Sequence, residues 1–135
     1  MIKGSCCCGK VTFEVLAEPT MMGTCHCSRC RKAAGVFSAV LIGPVADLTI
    51  TSGECHITRL EPEAPNVHRR AFCEHCGSSL GDLATDSGIY VVAASVLDDD
   101  PGTKPMGHIH TASKPNWYEI TDGLPQFEGD YVAPG

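Results

Sequence analysis

Cys25-His-Cys-Ser-Arg-Cys30 places three thiols and a histidine within six residues of the chain. In an extended backbone successive side chains point to opposite sides, so Cys25 and Cys27 face one way and His26 faces the other. Cys30 follows Cys27 at the Cys-x-x-Cys spacing, which supplies two thiolates across a tight turn. We therefore predict that Cys25, Cys27 and Cys30 hold one zinc ion and leave its fourth ligand position open to a substrate.

Two further pairs of cysteines lie far apart in the chain. Cys6 and Cys8 have the Cys-x-Cys spacing, whereas Cys73 and Cys76 form a Cys-x-x-Cys followed by a glycine. Four thiolates from two such pairs complete the tetrahedral ligand set of a structural zinc site. We predict that this four-thiolate site joins the N-terminal segment to the middle of the chain. The three-thiol cluster around Cys27 is then the incomplete set, where chemistry can occur.

A different pairing of the same cysteines also gives four thiolates. Cys27/Cys30 and Cys73/Cys76 could form a ribbon-type four-thiolate site, leaving the other ligand candidates free. The segment between those two knuckles is much longer than the roughly 15–20 residues typical of that pattern. This alternative would make the protein a zinc-stabilised binding scaffold with no open metal position and no catalysis.

Length and composition limit the architecture and the compartment. A chain of 135 residues fits one domain, for which we take residues 1–135. The N-terminus has no apolar stretch of the signal-peptide type, and the uncharged run 33–46 is shorter than the roughly 20 residues that cross a bilayer. With an odd number of cysteines, nine, these features predict a cytoplasmic protein whose thiols serve metal or redox chemistry rather than disulfides.

The charge distribution bears on partners. A formal net charge of −6 argues against nucleic acid and anionic membranes as partners, because both are bound through basic surfaces. Three of the basic residues, Arg29, Arg31 and Lys32, nevertheless lie inside or beside the three-thiol stretch. They form either a solvated surface or a local attraction for an acidic small molecule.

The hydrophobic pattern predicts a mainly β protein made of short strands. Residues 11–16 alternate apolar and polar side chains, as a half-buried strand does. Residues 21–25 form a second short strand that delivers the thiols, and residues 28–34 form a helical turn that Gly35 ends. Residues 89–97 give the strongest buried-strand signal, so we place them at the centre of the sheet. Residues 48–51 and 55–60 flank a turn like the arms of a hairpin.

The remaining histidines, cysteines and aromatic residues have structural interpretations. We expect His108 and His110 to lie on a strand surface, and Cys7 and Cys55 to be small buried side chains. The tail after residue 105 should wrap the sheet, with Trp117 packed onto it.

The motifs resemble, in order and over almost the whole chain, those of the glutathione-dependent formaldehyde-activating enzyme family. The resemblance rests on Gly4-Ser-Cys-Cys-Cys-Gly9, Cys25-His-Cys-Ser-Arg-Cys-Arg-Lys32, Phe72-Cys-Glu-His-Cys-Gly-Ser78, and a tail containing His108-Ile109, Ser113-Lys114, Trp117 and Leu124-Pro-Gln-Phe-Glu128.

The resemblance implies several small packed antiparallel sheets in a tent-like arrangement around the structural zinc site with its four cysteine ligands, and a second zinc ion. By position, Cys6, Cys8, Cys73 and Cys76 match the structural ligands, and Cys25, Cys27 and Cys30 match the active-site ligands. The implied reaction is the condensation of glutathione with formaldehyde to S-hydroxymethylglutathione, a carbon–sulfur lyase reaction in reverse. Candidate contacts for the glutathione carboxylates are Arg29, Arg31, Lys32 and Lys114.

Overall fold

The structure is a computed structural model and describes residues 1–134. Across these residues it contains ten strands and one α-helix. The strands are β1 (Ile2–Ser5), β2 (Thr12–Val15), β3 (Met21–Cys25), β4 (Ser38–Pro44), β5 (Leu48–Ser52), β6 (Ile57–Leu60), β7 (Arg70–Cys73), β8 (Ser79–Asp82), β9 (Ile89–Ala93) and β10 (His108–Ile109), and the helix is α1 (Ser28–Ala34). Short 3-10 turns occupy Val45–Asp47, Glu54–His56, Ala94–Val96 and Thr111–Ser113. The predicted mainly β class is confirmed.

The strands form two sheets. The smaller has the order β1-β2-β5, and the larger has the order β10-β3-β4-β9-β8-β7-β6. Neighbouring strands are antiparallel except β10, which runs parallel to β3. β9 is the middle strand of the larger sheet, as the run of apolar residues predicted. None of the helices described within residues 1–134 is long and apolar enough to cross a membrane.

The core is one cluster of buried side chains that both sheets contribute. Phe13 and Val15 of β2 are fully buried, whereas the alternate side chains of that strand are half exposed. Tyr90 and Val92 of β9 are also inaccessible to solvent. A Cβ on Gly43, the residue opposite Tyr90 in β4, would lie 2.5 Å from the tyrosine hydroxyl. The glycine therefore makes the room that this ring occupies.

Two predictions about connectivity are wrong. Residues 48–51 and 55–60 do not form a hairpin, because β5 pairs with β2 in the smaller sheet and β6 pairs with β7 in the larger one. Gly53 makes this divergence possible, since its φ of 79° lies in the left-handed region and a Cβ there would lie 2.0 Å from the carbonyl oxygen of Lys10. The tail also does more than cover the sheet, since β10 adds a strand to its edge.

Candidate metal centres

Four cysteines from two distant segments form the first cluster. The sulfurs of Cys6, Cys8, Cys73 and Cys76 all lie within 4.8 Å of one another. The Sγ atoms of Cys6 and Cys8 are 3.5 Å apart, and those of Cys8 and Cys73 are 3.9 Å apart. Four thiolates at about 2.3 Å from a tetrahedral zinc ion would be separated by about 3.8 Å. The cluster could therefore hold such an ion, and its four sulfurs would complete the coordination.

Turns rather than an extended strand bring these sulfurs together. The backbone NH of Gly9 donates to the carbonyl of Cys6, so Cys6 and Cys8 lie on a tight turn after β1 and not on alternate positions of a strand. On the other side, the NH of Gly77 donates to the carbonyl of Cys73 at 2.7 Å. Gly77 has a φ of 77°, which closes this knuckle at little steric cost.

Hydrogen bonds to two of the sulfurs, those of Cys6 and Cys76, favour the ionised form of these thiols. The NH of Val11 donates to Sγ of Cys6 at 3.3 Å, and the hydroxyl of Ser78 lies 3.3 Å from Sγ of Cys76. The hydroxyl and the backbone NH of Ser78 lower the pKa of Cys76 to about 5. Since only thiolates ligate metal, this environment suits the cluster to a cation.

This first cluster, which we call the closed cluster, lies at the edge of the core: two of its residues are buried, Cys76 is half-buried and Cys8 is exposed. Cys6 and Cys73 are 3% and 0% exposed and pack among the buried apolar residues. Because Cys73 and Cys76 lie with Cys6 and Cys8, the ribbon-type pairing of Cys27/Cys30 with Cys73/Cys76 is wrong. Cys7, between two members of the cluster, is exposed rather than buried, and so is Cys55. All nine cysteines, each within residues 1–134, are free.

The second cluster, which we call the open cluster, comes from one short segment. The sulfurs of Cys25, Cys27 and Cys30 lie within 4.8 Å of one another, and each residue is half-buried. Cys25 ends β3, Cys27 caps α1 and Cys30 lies in its first turn. The NH of Cys30 donates to Sγ of Cys27 at 3.2 Å. The helix ends at Gly35, as predicted, where a φ of 106° turns the chain into β4.

A guanidinium group that the sequence did not indicate contacts the open cluster. Nη2 of Arg70, on β7, donates to Sγ of Cys30 at 3.3 Å. A hydrogen bond with Cys25, then that with Arg70, lowers the pKa of Cys30 to about 5. The hydrogen bond with Cys30 and burial raise the pKa of Cys25. Without metal, Cys30 therefore ionises before Cys25.

A hydrogen-bonded chain of polar side chains, buried except for the exposed Asp122, lies beside the open cluster. His26 is 0% exposed, and its Nε2 lies 2.8 Å from Nδ1 of His108, which is itself 2% exposed. Nε2 of His108 is 2.8 Å from Oδ2 of Asp122. Oγ1 of Thr24 is 2.7 Å from Nδ1 of His108. The expectation that His108 lies on a strand surface is wrong, because parallel pairing with β3 turns it inward.

The carboxylate determines how the protons are arranged along this chain. Asp122 accepts from Nε2 of His108, so Nδ1 of a neutral His108 is left to accept from Nε2 of His26. Burial lowers the pKa of His26, which favours its neutral form. These bonds tie the residue between Cys25 and Cys27 to the tail.

The basic residues near the open cluster have different environments. Nη2 of Arg29 donates to the carbonyl of His68 at 3.5 Å, and Nε of Arg31 is buried without a hydrogen-bond partner among the described residues. Nζ of Lys114 donates to the carbonyls of Pro115 and Tyr118, so it holds the tail. Trp117, expected to pack on the sheet, is 73% exposed.

Together these features define a mainly β protein with two cysteine clusters that could each hold a metal ion, one with four sulfurs at the edge of the core and one with three half-buried cysteines. The sequence model of the family described as glutathione-dependent formaldehyde-activating enzyme matches residues 1–113. The chain belongs to that family.

Two proteins similar to this chain are a named relative and a solved structure. A Halomonas elongata protein, named provisionally as a glutathione-dependent formaldehyde-activating enzyme, is 31% identical over 127 residues, which cover 89% of this chain and 81% of that protein. A crystal structure of a Rhodobacter sphaeroides protein is 27% identical and superposes with a TM-score of 0.58, covering 76% of this chain and 91% of that one. The chain thus spans most of the length of both.

Proposed function

We propose that the protein is a zinc-dependent carbon–sulfur lyase of the S-(hydroxymethyl)glutathione synthase type. It joins glutathione, or a similar thiol, to formaldehyde or another small aldehyde and forms a hemithioacetal. The observation that carries this proposal is the open cluster of Cys25, Cys27 and Cys30, in a chain of the formaldehyde-activating family. Residues 1–135 act as one domain in this proposal, and the free thiols favour the cytoplasm as its compartment.

The donor atoms of both clusters suit zinc. Thiolate sulfurs at these separations are soft ligands with tetrahedral spacing. Cys6, Cys8, Cys73 and Cys76 would hold a structural ion, and Cys25, Cys27 and Cys30 would hold the second. A zinc ion bound there supplies a site that attracts a thiolate or polarises a carbonyl group.

Arg70 adjusts the charge of the open cluster. Three thiolates around a doubly charged cation leave a net charge of −1, which weakens its attraction for an anionic thiolate. The guanidinium donates to Sγ of Cys30 at 3.3 Å and offsets that charge locally. Because a charge-assisted hydrogen bond draws electron density from the sulfur, Arg70 makes a fourth thiolate, that of the substrate, easier to accommodate.

The other residues bind and orient. Arg29, Arg31 and Lys32 on α1 provide cationic partners for the two carboxylates of glutathione. The hydrogen bond between the rings of His26 and His108 fixes the segment that carries the open cluster. In the reaction the thiol sulfur forms a bond to the carbonyl carbon, the carbonyl π bond breaks, and the thiol proton ends on the new hydroxyl oxygen. Holding the two reactants together is the main contribution expected of such a site.

Cys30→Ser tests the proposal. We expect the variant to lose one of two zinc ions per chain and to lose the acceleration of glutathione–formaldehyde adduct exchange, measured by exchange NMR above the uncatalysed rate. Cys55→Ser, which changes an exposed cysteine outside both clusters, is the matched control and should keep both. A Cys30→Ser protein that retains all of its zinc with native affinity would exclude an open metal site. Wild-type protein with two zinc ions and no acceleration would instead favour a zinc-stabilised binding scaffold.

A further inference from the structure

A large apolar groove borders the open cluster. Its volume is about 700 Å³ and Cys25 lies in its wall. Its remaining lining includes Met21, Val40, Ile109 and Phe127 and contains no charged side chain among the described residues. Cavities of roughly 300–1,000 Å³ are the size of typical small-molecule sites. Formaldehyde has two non-hydrogen atoms and would leave almost all of this space unfilled.

The register of the larger sheet explains why the groove meets the cluster. Gly23 pairs with Val40, and Cys25 pairs with both Ser38 and Ile109. Since alternate residues of a strand share a face, Met21, Gly23 and Cys25 project from the same side of β3. The apolar floor therefore runs along β3 directly to the sulfur of Cys25.

The tail forms the other wall. Phe127 is fixed beside β10, because its NH donates to the carbonyl of His108 and its carbonyl accepts from the NH of Thr111. Its ring packs edge-on against Tyr131, with centroids 5.3 Å apart. Tyr131 and Met106, both in the lining, are 61% and 59% exposed. The groove thus opens to solvent beside exposed apolar side chains, and Cys25 of the open cluster lies in its wall.

The apolar lining of the groove distinguishes between the two substrates, glutathione and the aldehyde. Glutathione carries two carboxylates and an ammonium group, and burying these without partners is costly. The cationic residues that suit it, Arg29, Arg31 and Lys32, lie on α1 and outside the groove lining. An apolar chain, by contrast, gains free energy from each methylene that the groove removes from water.

We infer that the groove binds the hydrocarbon chain of an aldehyde whose carbonyl group lies at the open cluster, so that the aldehyde substrate is an apolar, chain-bearing one. This inference rests on the proposed function for the assignment of the carbonyl end. The product is the corresponding hemithioacetal: the thiol sulfur bonds to the aldehyde carbon, the carbonyl π bond breaks and the thiol proton ends on oxygen. No oxidant or reductant is required.

Straight-chain primary alcohols from ethanol to 1-octanol, which do not react with thiols, test the groove directly. Dissociation constants are measured by NMR titration of the methyl signals of Val40, Ile42 and Ile109 in the purified, metal-containing protein. We expect affinity to rise about two- to fourfold for each added methylene, the upper value corresponding to complete burial. Affinity that does not depend on chain length would overturn the inference, whether or not any variant folds.

Gly23→Val locates the binding. A Cβ at Gly23 would meet only the terminal methyl of Met21, at 3.7 Å, so valine fits this strand and projects into the groove. We expect about a tenfold or greater loss of 1-octanol affinity. The matched control is Gly129→Val, at an open glycine outside the lining, and it should bind 1-octanol like the wild type. Equal losses in both variants, or none in Gly23→Val, would contradict the inference.

Two further measurements separate this inference from its alternatives. Sedimentation velocity should give the same mass with and without 1-octanol, whereas a dimer that dissociates on adding the alcohol would mean that a second copy covers the groove. Wild-type exchange of the glutathione adducts of formaldehyde and of octanal is measured in parallel, because the inference makes a chain-bearing aldehyde the substrate, and acceleration of either adduct counts. Acceleration with flat alcohol binding refutes the groove and leaves the proposed function standing. Chain-dependent binding without acceleration refutes the proposed function and leaves a site for an apolar chain.

Discussion

The closed and open clusters use the same side chain in two different ways. The closed cluster joins Cys6 and Cys8 to Cys73 and Cys76, which lie far away in the sequence, and two of its sulfurs are in the core. The open cluster takes three cysteines from six consecutive residues near the surface. Closing a long loop restrains the unfolded chain, whereas a local cluster restrains it very little. A metal bound in the first would stabilise the fold, and the proposed function gives a metal in the second a role in binding and reaction.

Cys73→Ser should break the closed cluster with the largest effect. Metal binding at a site absent from the unfolded chain contributes directly to folding free energy. We expect a loss of about 4 kcal/mol or more in the free energy of unfolding, seen as a large fall in the thermal midpoint by circular dichroism. Cys55→Ser, at an exposed cysteine, is the control. A Cys73→Ser protein with an unchanged midpoint would show that the closed cluster does not stabilise the fold.

His108→Phe should separate folding from the geometry of the open cluster. The substitution keeps a ring of similar size but leaves the buried Nε2 of His26 without its partner, which costs about 2 kcal/mol in unfolding free energy. Because His26 lies between two ligands, zinc affinity at the open cluster should also fall, while the closed cluster keeps its ion. Urea unfolding and competition with a chromophoric chelator measure the two effects. The exposed His75 offers the comparison, since His75→Phe should change neither.

Arg70→Met should act on the open cluster alone. Removing a partner of a ligating sulfur typically weakens metal binding by about tenfold or more. In metal-free protein the pKa of Cys30 should rise from about 5, because the thiolate loses the guanidinium, so the pH profile of its alkylation moves to higher pH. Arg59→Met removes a surface guanidinium paired with Glu54 and should leave both measurements unchanged. Equal zinc affinity in the two variants would remove Arg70 from the site.

Cys7→Ser should have the smallest effect. Cys7 lies between two ligands of the closed cluster, yet it is exposed. A substitution at such a position usually changes unfolding free energy by less than about 0.5 kcal/mol. Zinc content should remain two ions per chain by elemental analysis. A lost ion would mean that Cys7 competes with Cys6 or Cys8 for the metal.

Local patterns in the sequence predicted local structure well. β3 has the predicted bounds, and α1 ends at Gly35, the glycine that was predicted to end it. Both depend on near neighbours along the chain, and the grouping of cysteines followed from spacing and ligand number. The hairpin predicted around Gly53 does not form. Alternation of apolar and polar side chains indicates a strand, but it does not specify which other strand that strand pairs with.

Contacts between distant segments were outside the reach of such patterns. Arg70 looks like an ordinary residue of an alternating strand, and only the position of β7 brings it to Cys30. His108 looks like a surface residue until β10 pairs in parallel with β3. The apolar groove was likewise not predicted from the sequence, because its walls come from β3, β4 and a tail with no regular hydrophobic pattern.

The bond between His26 and His108 also bears on the order in which the protein acquires its parts during synthesis. Every cysteine of both clusters leaves the ribosome before His108, Asp122 and the groove wall at Phe127. A nascent chain can therefore assemble its closed cluster while the segment around Cys27 still lacks the side chains that orient it. The last part of the chain to be translated completes the site. A product that stops short of residue 108 would contain all the cysteines of both clusters but would lack His108, which contacts His26, and Phe127, which lines the groove.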